Sequence, residues 1–127
     1  MNFEKLDVWK RASALSADVY IQLKNLKDYG FKDQITRSGL SIPSNIAEGM
    51  ERETDKEVLR FLVIAKSSAA ELVTQTYIGM KIDYIPKNIG KQWVAETKQI
   101  SKMIGAMIKT RRLRMGIKEP EEVYVVE

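Results

Sequence analysis

With 127 residues, 44% of them apolar and 30% charged, the chain has the balance of one globular domain built around one core. It contains no histidine and no cysteine, which excludes Ser-His-Asp and Cys-His triads, thiolate nucleophiles, disulfides, structural zinc sites and haem held by His or Cys. The net charge of +4 leaves a polyanionic partner open, and a non-catalytic binding or assembly role without metal or cofactor starts ahead of the carboxylate, lysine, tyrosine or serine chemistry that remains.

The first helix is predicted over residues 4–26, where Val8, Ala12, Leu15, Val19, Leu23 and Leu26 recur every three or four positions. A second stripe of Trp9, Ser13, Ser16 and Tyr20 runs beside that core stripe. Lys27, Asp28, Tyr29 and Gly30 supply a turn, with Gly30 suited to cap the helix. The second helix covers about 31–50. Its apolar positions Ile35, Gly39, Ile42, Ile46 and Met50 oppose a polar stripe of Gln34, Arg37, Ser41, Asn45, Glu48 and Arg52. That division survives across Pro43, so the helix is expected to continue through the proline, which presses on a residue without a side chain, Gly39.

The third helix is predicted over 55–80, with Thr54 as N-cap and Glu57 three residues on. Its core stripe is Val58, Leu62, Ala65, Ala69, Leu72, Thr76 and Met80, flanked by Leu59, Val63, Ala70 and Tyr77. The fourth helix follows Pro86 and ends near 114, before Gly116. Charge separates it from the rest: residues 1–85 carry 12 Lys/Arg and 12 Asp/Glu, residues 86–118 carry 9 Lys/Arg against the single Glu96, and residues 119–127 hold four glutamates and no base. Lys91, Lys98, Lys102 and Lys109 fall within about 40° of one another on the helical wheel. Arg111, Arg112, Arg114 and Lys118 extend the charge. Only residues 123–126 look strand-like. Short connections then predict an all-α, antiparallel up-down-up-down four-helix bundle over 1–116, followed by an acidic tail over 117–127. The N-terminus lacks the apolar stretch of a signal peptide and the longest apolar run is 61–65, so no membrane segment and a cytoplasmic location are expected.

The run SIPSNIAEG at 41–49 resembles the 23S rRNA intervening-sequence protein family of four-helix bundle proteins. Phe3, Leu6, Val8, Trp9, Gln34, Arg37, Arg52, the stretch 61–65 and Ala70, Glu71 and Leu72 add to the likeness, which spans about 3–112. Ser67 and Thr36 depart from it, at positions where glycine and a second arginine are common. The resemblance implies a bundle that assembles into a ring-like homo-oligomer, a homopentamer, with no enzymatic activity. A distant relative by fold is the accessory variability determinant of diversity-generating retroelements, a basic pentamer that works with a reverse transcriptase and RNA.

Three sets of candidate residues follow. The basic set, Lys91, Lys98, Lys102, Lys109, Arg111, Arg112 and Arg114, can track a phosphate backbone of RNA or DNA; a solvated face is the plainer alternative. The polar stripe Gln34, Arg37, Ser41, Asn45, Glu48 and Arg52 reads as a packing or subunit-registry network before it reads as a ligand site. Trp9, Tyr20, Leu59, Val63 and Tyr77 are apolar surplus beyond one core, pointing to self-association unless Trp9 and Tyr77 seal the core ends. The expected function is a non-catalytic oligomeric binding or scaffold protein associating with RNA or other nucleic acid through the fourth helix. The alternative is a protein-interaction scaffold whose basic face meets an acidic partner, such as a reverse transcriptase or another nucleic-acid-processing protein, or its own tail. For catalysis the best material is Glu48 with Glu71, or a tyrosine beside a lysine, and no phosphate-binding or paired-carboxylate motif accompanies them.

Overall fold

The computed structural model describes residues 2–117 and turns the four apolar stripes into four helices. They are α1 (Asp7–Gln22), α2 (Tyr29–Met50), α3 (Asp55–Lys81) and α4 (Lys87–Arg114), preceded by a 3-10 turn at Phe3–Lys5. Val8, Ala12, Leu15 and Val19 of α1, Ile35, Ile42, Ile46 and Met50 of α2, Val58 to Leu72 along the α3 stripe, and Trp93, Ile100, Ile104 and Ile108 of α4 form one buried core. Each helix packs on two neighbours, and α1 closes the ring on α4. Among the described residues there is no strand, no helix long and apolar enough to cross a membrane, and no acidic group of three or more that could hold a metal ion. The acidic tail beyond residue 117, with its strand-like stretch at 123–126 and Lys118, lies outside the described residues.

The helix boundaries follow local capping chemistry. Thr54 accepts the Glu57 amide at 3.2 Å and starts α3 as its sequence predicts. At the end of α4, Gly116 takes φ 74°, its amide donates to the Leu113 carbonyl at 3.0 Å, and Ile117 donates to the Arg112 carbonyl at 2.9 Å, a Schellman turn. The first connection departs from expectation. α1 stops at Gln22 rather than 26, and Leu23 is buried from the connection, not from the helix. Gly30 does not cap α1; it lies in the first turn of α2, where the Asp28 carboxylate accepts the Phe31 amide at 3.1 Å. An N-cap on an acidic side chain outcompetes the weaker signal of a glycine two residues away.

α2 runs through Pro43 without a break. A proline inside a helix costs about 3 kcal/mol. Here the ring is itself buried between Ile42 and Ile46, both without solvent exposure, and burial of that apolar surface offsets the cost. Gly39 faces Ser16 of α1, where an added Cβ would sit at an ordinary contact distance of 3.7 Å from the Ser16 Cα. Ser16 is therefore a buried helix–helix contact and not part of an outward stripe.

The antiparallel order is fastened at both ends. Arg111 donates to Asp55 at 2.8 Å, joining the end of α4 to the start of α3. At the other end the Tyr84 hydroxyl donates to Asp28 at 2.8 Å, and the Phe31 and Tyr84 rings meet edge to face at 5.3 Å. The α1–α4 seam is the thinnest of the four and is closed by polar locks. The Trp93 indole donates to Asp18 at 2.7 Å, and Arg11 forks onto Glu96, with Nε at 3.0 Å. That fork holds the Glu96 carboxyl below its ordinary value, chiefly through the guanidinium hydrogen bond and against a desolvation effect that raises it.

Candidate nucleic-acid interface

Helical periodicity puts Lys91, Lys98, Lys102 and Lys109 on one exposed face of α4. The single acid of that helix, Glu96, lies about 140° away on the wheel at ~100° per residue. It is engaged by Arg11 of α1, so it does not neutralise the lysines. Lys91, Lys98 and Lys102 form no ion pair with another described residue. Arg111 and Arg114 differ from them: both converge on Asp55, at 2.8 and 3.6 Å, and Arg111 is largely covered. Those two arginines fasten helix ends as well as adding charge. Arg112 is half-buried beside them.

The tertiary structure brings α3 to this face. Tyr77, 49% exposed, stands between the two helices and lines two adjoining grooves. One, of about 440 Å³, is completed by Met80, Lys81, Asp83, Lys87 and Lys91. The other, of about 290 Å³, is completed by Met80, Lys91, Val94, Ala95 and Lys98. Asp83 supplies the one carboxylate lining either groove. It takes φ 61°, a left-handed conformation at the end of α3 that its short polar side chain tolerates. Lys87 and Lys81 are absent from the sequence-derived set. Lys87 was within reach of the same periodicity, one turn before Lys91. Lys81 belongs to another helix, and only the fold places it here. Farther along, the Lys66 ammonium of α3 lies 3.6 Å from where a Cβ on Gly105 would stand, which continues the basic strip across the seam.

A larger groove of about 710 Å³ opens on the α1–α2 side, lined by Tyr20, Lys24, Tyr29, Lys32, Asp33 and Thr36. One of its two lysines is engaged within the groove and Asp33 adds a carboxylate. The Lys32 ammonium lies 4.9 Å from the Tyr29 ring centre and donates to the Lys24 carbonyl at 3.3 Å. The α3–α4 face is the better place for an anion.

The polar stripe of α2 closes on itself. Ser41 and Ser68 hydroxyls meet at 2.7 Å across the α2–α3 seam, and the Asn45 amide donates to the Ser41 carbonyl and hydroxyl at 2.8 and 2.9 Å. Arg37 pairs with Asp33 at 3.0 Å, Arg52 pairs with Glu48 and stacks over Phe61, and Gln34 is exposed. Close by on α3, the Gln75 side-chain oxygen is buried with no partner among the described residues. Glu71, the other acid considered for catalysis, is exposed.

A protein-family model described as 23S rRNA-intervening sequence protein matches residues 4–106. The chain belongs to this family. A solved structure from Bacteroides thetaiotaomicron, a protein of unknown function from the S23 ribosomal protein family, shares the fold with a TM-score of 0.76 at 24% identity. The likeness covers 80% of this chain and 98% of that one. No curated protein matches.

The surplus apolar residues of this family member divide in two. Trp9 is half-buried, packs edge to face on Phe3 at 5.3 Å and seals one end of the core, and Leu59 is likewise packed against the core. Tyr20, Val63 and Tyr77 stand out into solvent in the single chain. Tyr77 lies among the lysines and Val63 shares its α3 flank by helical periodicity, whereas Tyr20 faces the α1–α2 groove.

Proposed function

We propose that this protein is a non-catalytic binding module that holds a nucleic-acid backbone on its α3–α4 face. RNA is the first candidate, because the family description names 23S rRNA. The observation that carries the reading is the gathering of Lys81, Lys87, Lys91 and Lys98 around the exposed Tyr77, with α4's own acid turned to α1. Lysines act here as point charges for phosphates, and a single tyrosine offers one stacking surface without a code for sequence. The module works in the cytoplasm as a ring-like homo-oligomer, a pentamer as the family resemblance implies, in which several weak copies of one face add through avidity.

The test is fluorescence anisotropy on a labelled 20-nucleotide single-stranded RNA, titrated at several salt concentrations. Four phosphates neutralised give a log–log slope near −3, at ~0.7 per contact. Lys98→Glu with Lys102→Glu is expected to weaken binding at least about tenfold while the melting temperature stays put, since each exposed charge adds little to folding. Binding that ignores salt, or survives the double reversal, overturns the proposal. Light scattering after size exclusion reads the stoichiometry.

One feature favours a second reading. The lysines adjoin the exposed Tyr77 of α3, whose flank also carries the exposed Val63, and such a mixed surface also suits an acidic protein, a reverse transcriptase among them. An absorbance ratio that reveals co-purifying nucleic acid, lost after a high-salt wash, favours the first reading over the second.

A further inference from the structure

Most aromatic rings of the described residues have a task inside the fold. Phe3 meets Trp9 and Phe31 meets Tyr84 edge to face, and the Trp93 indole donates to Asp18. Tyr29 lies under Lys32, and Phe61 lies under Arg52 and Arg60. Tyr20 and Tyr77 alone have neither a ring contact nor a hydroxyl hydrogen bond among the described residues. Tyr20 opens onto the α1–α2 groove, beside the engaged Lys32 and the acidic Asp33. Tyr77 stands instead among Lys81, Lys87, Lys91 and Lys98, none of which forms an ion pair with a described residue.

The lysines of α4 are unevenly spaced along this face. At ~1.5 Å per residue, Lys87 and Lys91 stand about 6 Å apart along the axis, and so do Lys98 and Lys102. Lys91 and Lys98 are about 10.5 Å apart. All four fall within about 60° on the wheel, at ~100° per residue. The wide interval is uncharged: the buried Val94 and the small, exposed Ala95 line the groove there, together with Tyr77 and Met80 of α3. Asp83 lines only the neighbouring groove, at the Lys81 and Lys87 end. The face thus alternates a cation pair, an apolar interval beside an unoccupied ring, and a second cation pair.

We propose that the interval between Lys91 and Lys98 takes one unpaired nucleobase stacked on Tyr77, so that this face selects single-stranded RNA over duplex. The inference rests on the nucleic-acid reading and adds to it the form of the strand. Phosphates flanking the inserted nucleotide meet Lys87 with Lys91 on one side and Lys98 with Lys102 on the other, as point charges. A flexible single strand can turn a base toward the protein, and every base has a π-face to lay on a tyrosine. In an RNA duplex the bases are paired and stacked on one another. Its grooves present phosphates, 2′-hydroxyls and base edges, so Tyr77 finds no open base face there. Charge alone would hold both forms; the uncharged interval and its ring serve only the unpaired one.

The experiment is fluorescence anisotropy on the full chain with a labelled 20-nucleotide single-stranded RNA and with the same strand annealed to its complement. Wild type is expected to bind the single strand about tenfold more tightly than the duplex. Tyr77→Ala should lose about tenfold on the single strand and less than twofold on the duplex. Its log–log salt slope on the single strand should stay within ~0.7 of wild type, because a stacked base releases no counterion. Tyr77→Phe keeps the ring and should hold single-strand affinity to within about twofold, whereas Tyr77→Leu keeps apolar bulk for folding and should fall with the alanine variant. Equal wild-type affinity for the two forms, a single strand indifferent to Tyr77→Ala and Tyr77→Leu, or a loss shared with the duplex overturns the inference. Salt-dependent binding in those cases leaves the lysine face standing. No salt-dependent binding of either RNA, whether or not poly-glutamate binds in its place, overturns the functional proposal and this inference with it.

Discussion

On α2, Arg37 answers Asp33, Arg52 answers Glu48, and Ser41, Asn45 and Ser68 satisfy one another across a seam. On α4, Lys91, Lys98 and Lys102 point outward with no described carboxylate to meet them, while Glu96 is held by Arg11 on another side of the helix. Both stripes are polar and regular in one dimension. In three, Ser41 and Asn45 of the first turn into the α2–α3 seam while its ion pairs stay exposed and answered within the helix. Those three lysines of the second meet no described carboxylate. Charge that a bundle leaves unanswered along one face is available to a partner, and charge or hydroxyl already paired inside it mainly sets packing.

Substitutions can break this contrast, and the largest effect belongs to the internal stripe. Ser68→Val strips the half-buried Ser41 hydroxyl of its cross-seam partner and crowds the helices at a buried position, and should cost about 2 kcal/mol in chemical denaturation without changing RNA affinity. Asn45→Ala removes two hydrogen bonds to Ser41 and should cost about 1 kcal/mol, again with affinity preserved. If either variant loses RNA binding while it remains folded, the α2 stripe is not purely structural.

The third expectation concerns acid. Glu96 has its folded value depressed below the ordinary 4.5, so its stabilising contribution is present above that pH and is lost as pH falls through the folded value. Asp28 behaves alike, lowered by the Phe31 amide first and the Tyr84 hydroxyl second from an ordinary 3.8. Glu96→Gln should flatten the fall in melting temperature below about pH 4.5, leaving the cationic lysine face unchanged. An acid limb identical to wild type would show that the Arg11 fork carries no linkage. Smaller again is Glu48→Lys, which disturbs an exposed pair one turn apart and should cost about 0.3–0.5 kcal/mol in a single bundle. A larger drop, accompanied by a change in assembly size, would move Glu48 from the fold to a subunit contact. On α4, Lys102→Gln should leave stability within about 0.5 kcal/mol and reduce the salt slope by ~0.7.

Much of the architecture was legible because helical periodicity is a local property. The stripes at Val8–Val19, Ile35–Met50 and Val58–Thr76 are spaced by three and four, and the same residues are buried. Thr54 and Gly116 marked helix ends through chemistry confined to four or five residues. The first connection is less legible because Asp28 and Gly30, two residues apart, both carry terminal signals, and the Asp28 carboxylate caps α2. Trp93 carries no such local signal, since its indole is satisfied by Asp18, 75 positions away.

The sequence by itself determined that the protein is all-helical, that it lacks the side chains of most catalytic designs, and that its positive charge concentrates after Pro86. Periodicity and composition suffice for those statements, since each depends on a residue and its near neighbours. Only the tertiary structure decided which polar groups were spent. It turned Glu96 toward Arg11, drew Arg111 and Arg114 to Asp55, and set Tyr77 and Lys81 of α3 among the lysines of α4. Pairing and juxtaposition are long-range matters, set by how helices pack, and so the +4 of the whole chain becomes a face with a location only when the four helices are together.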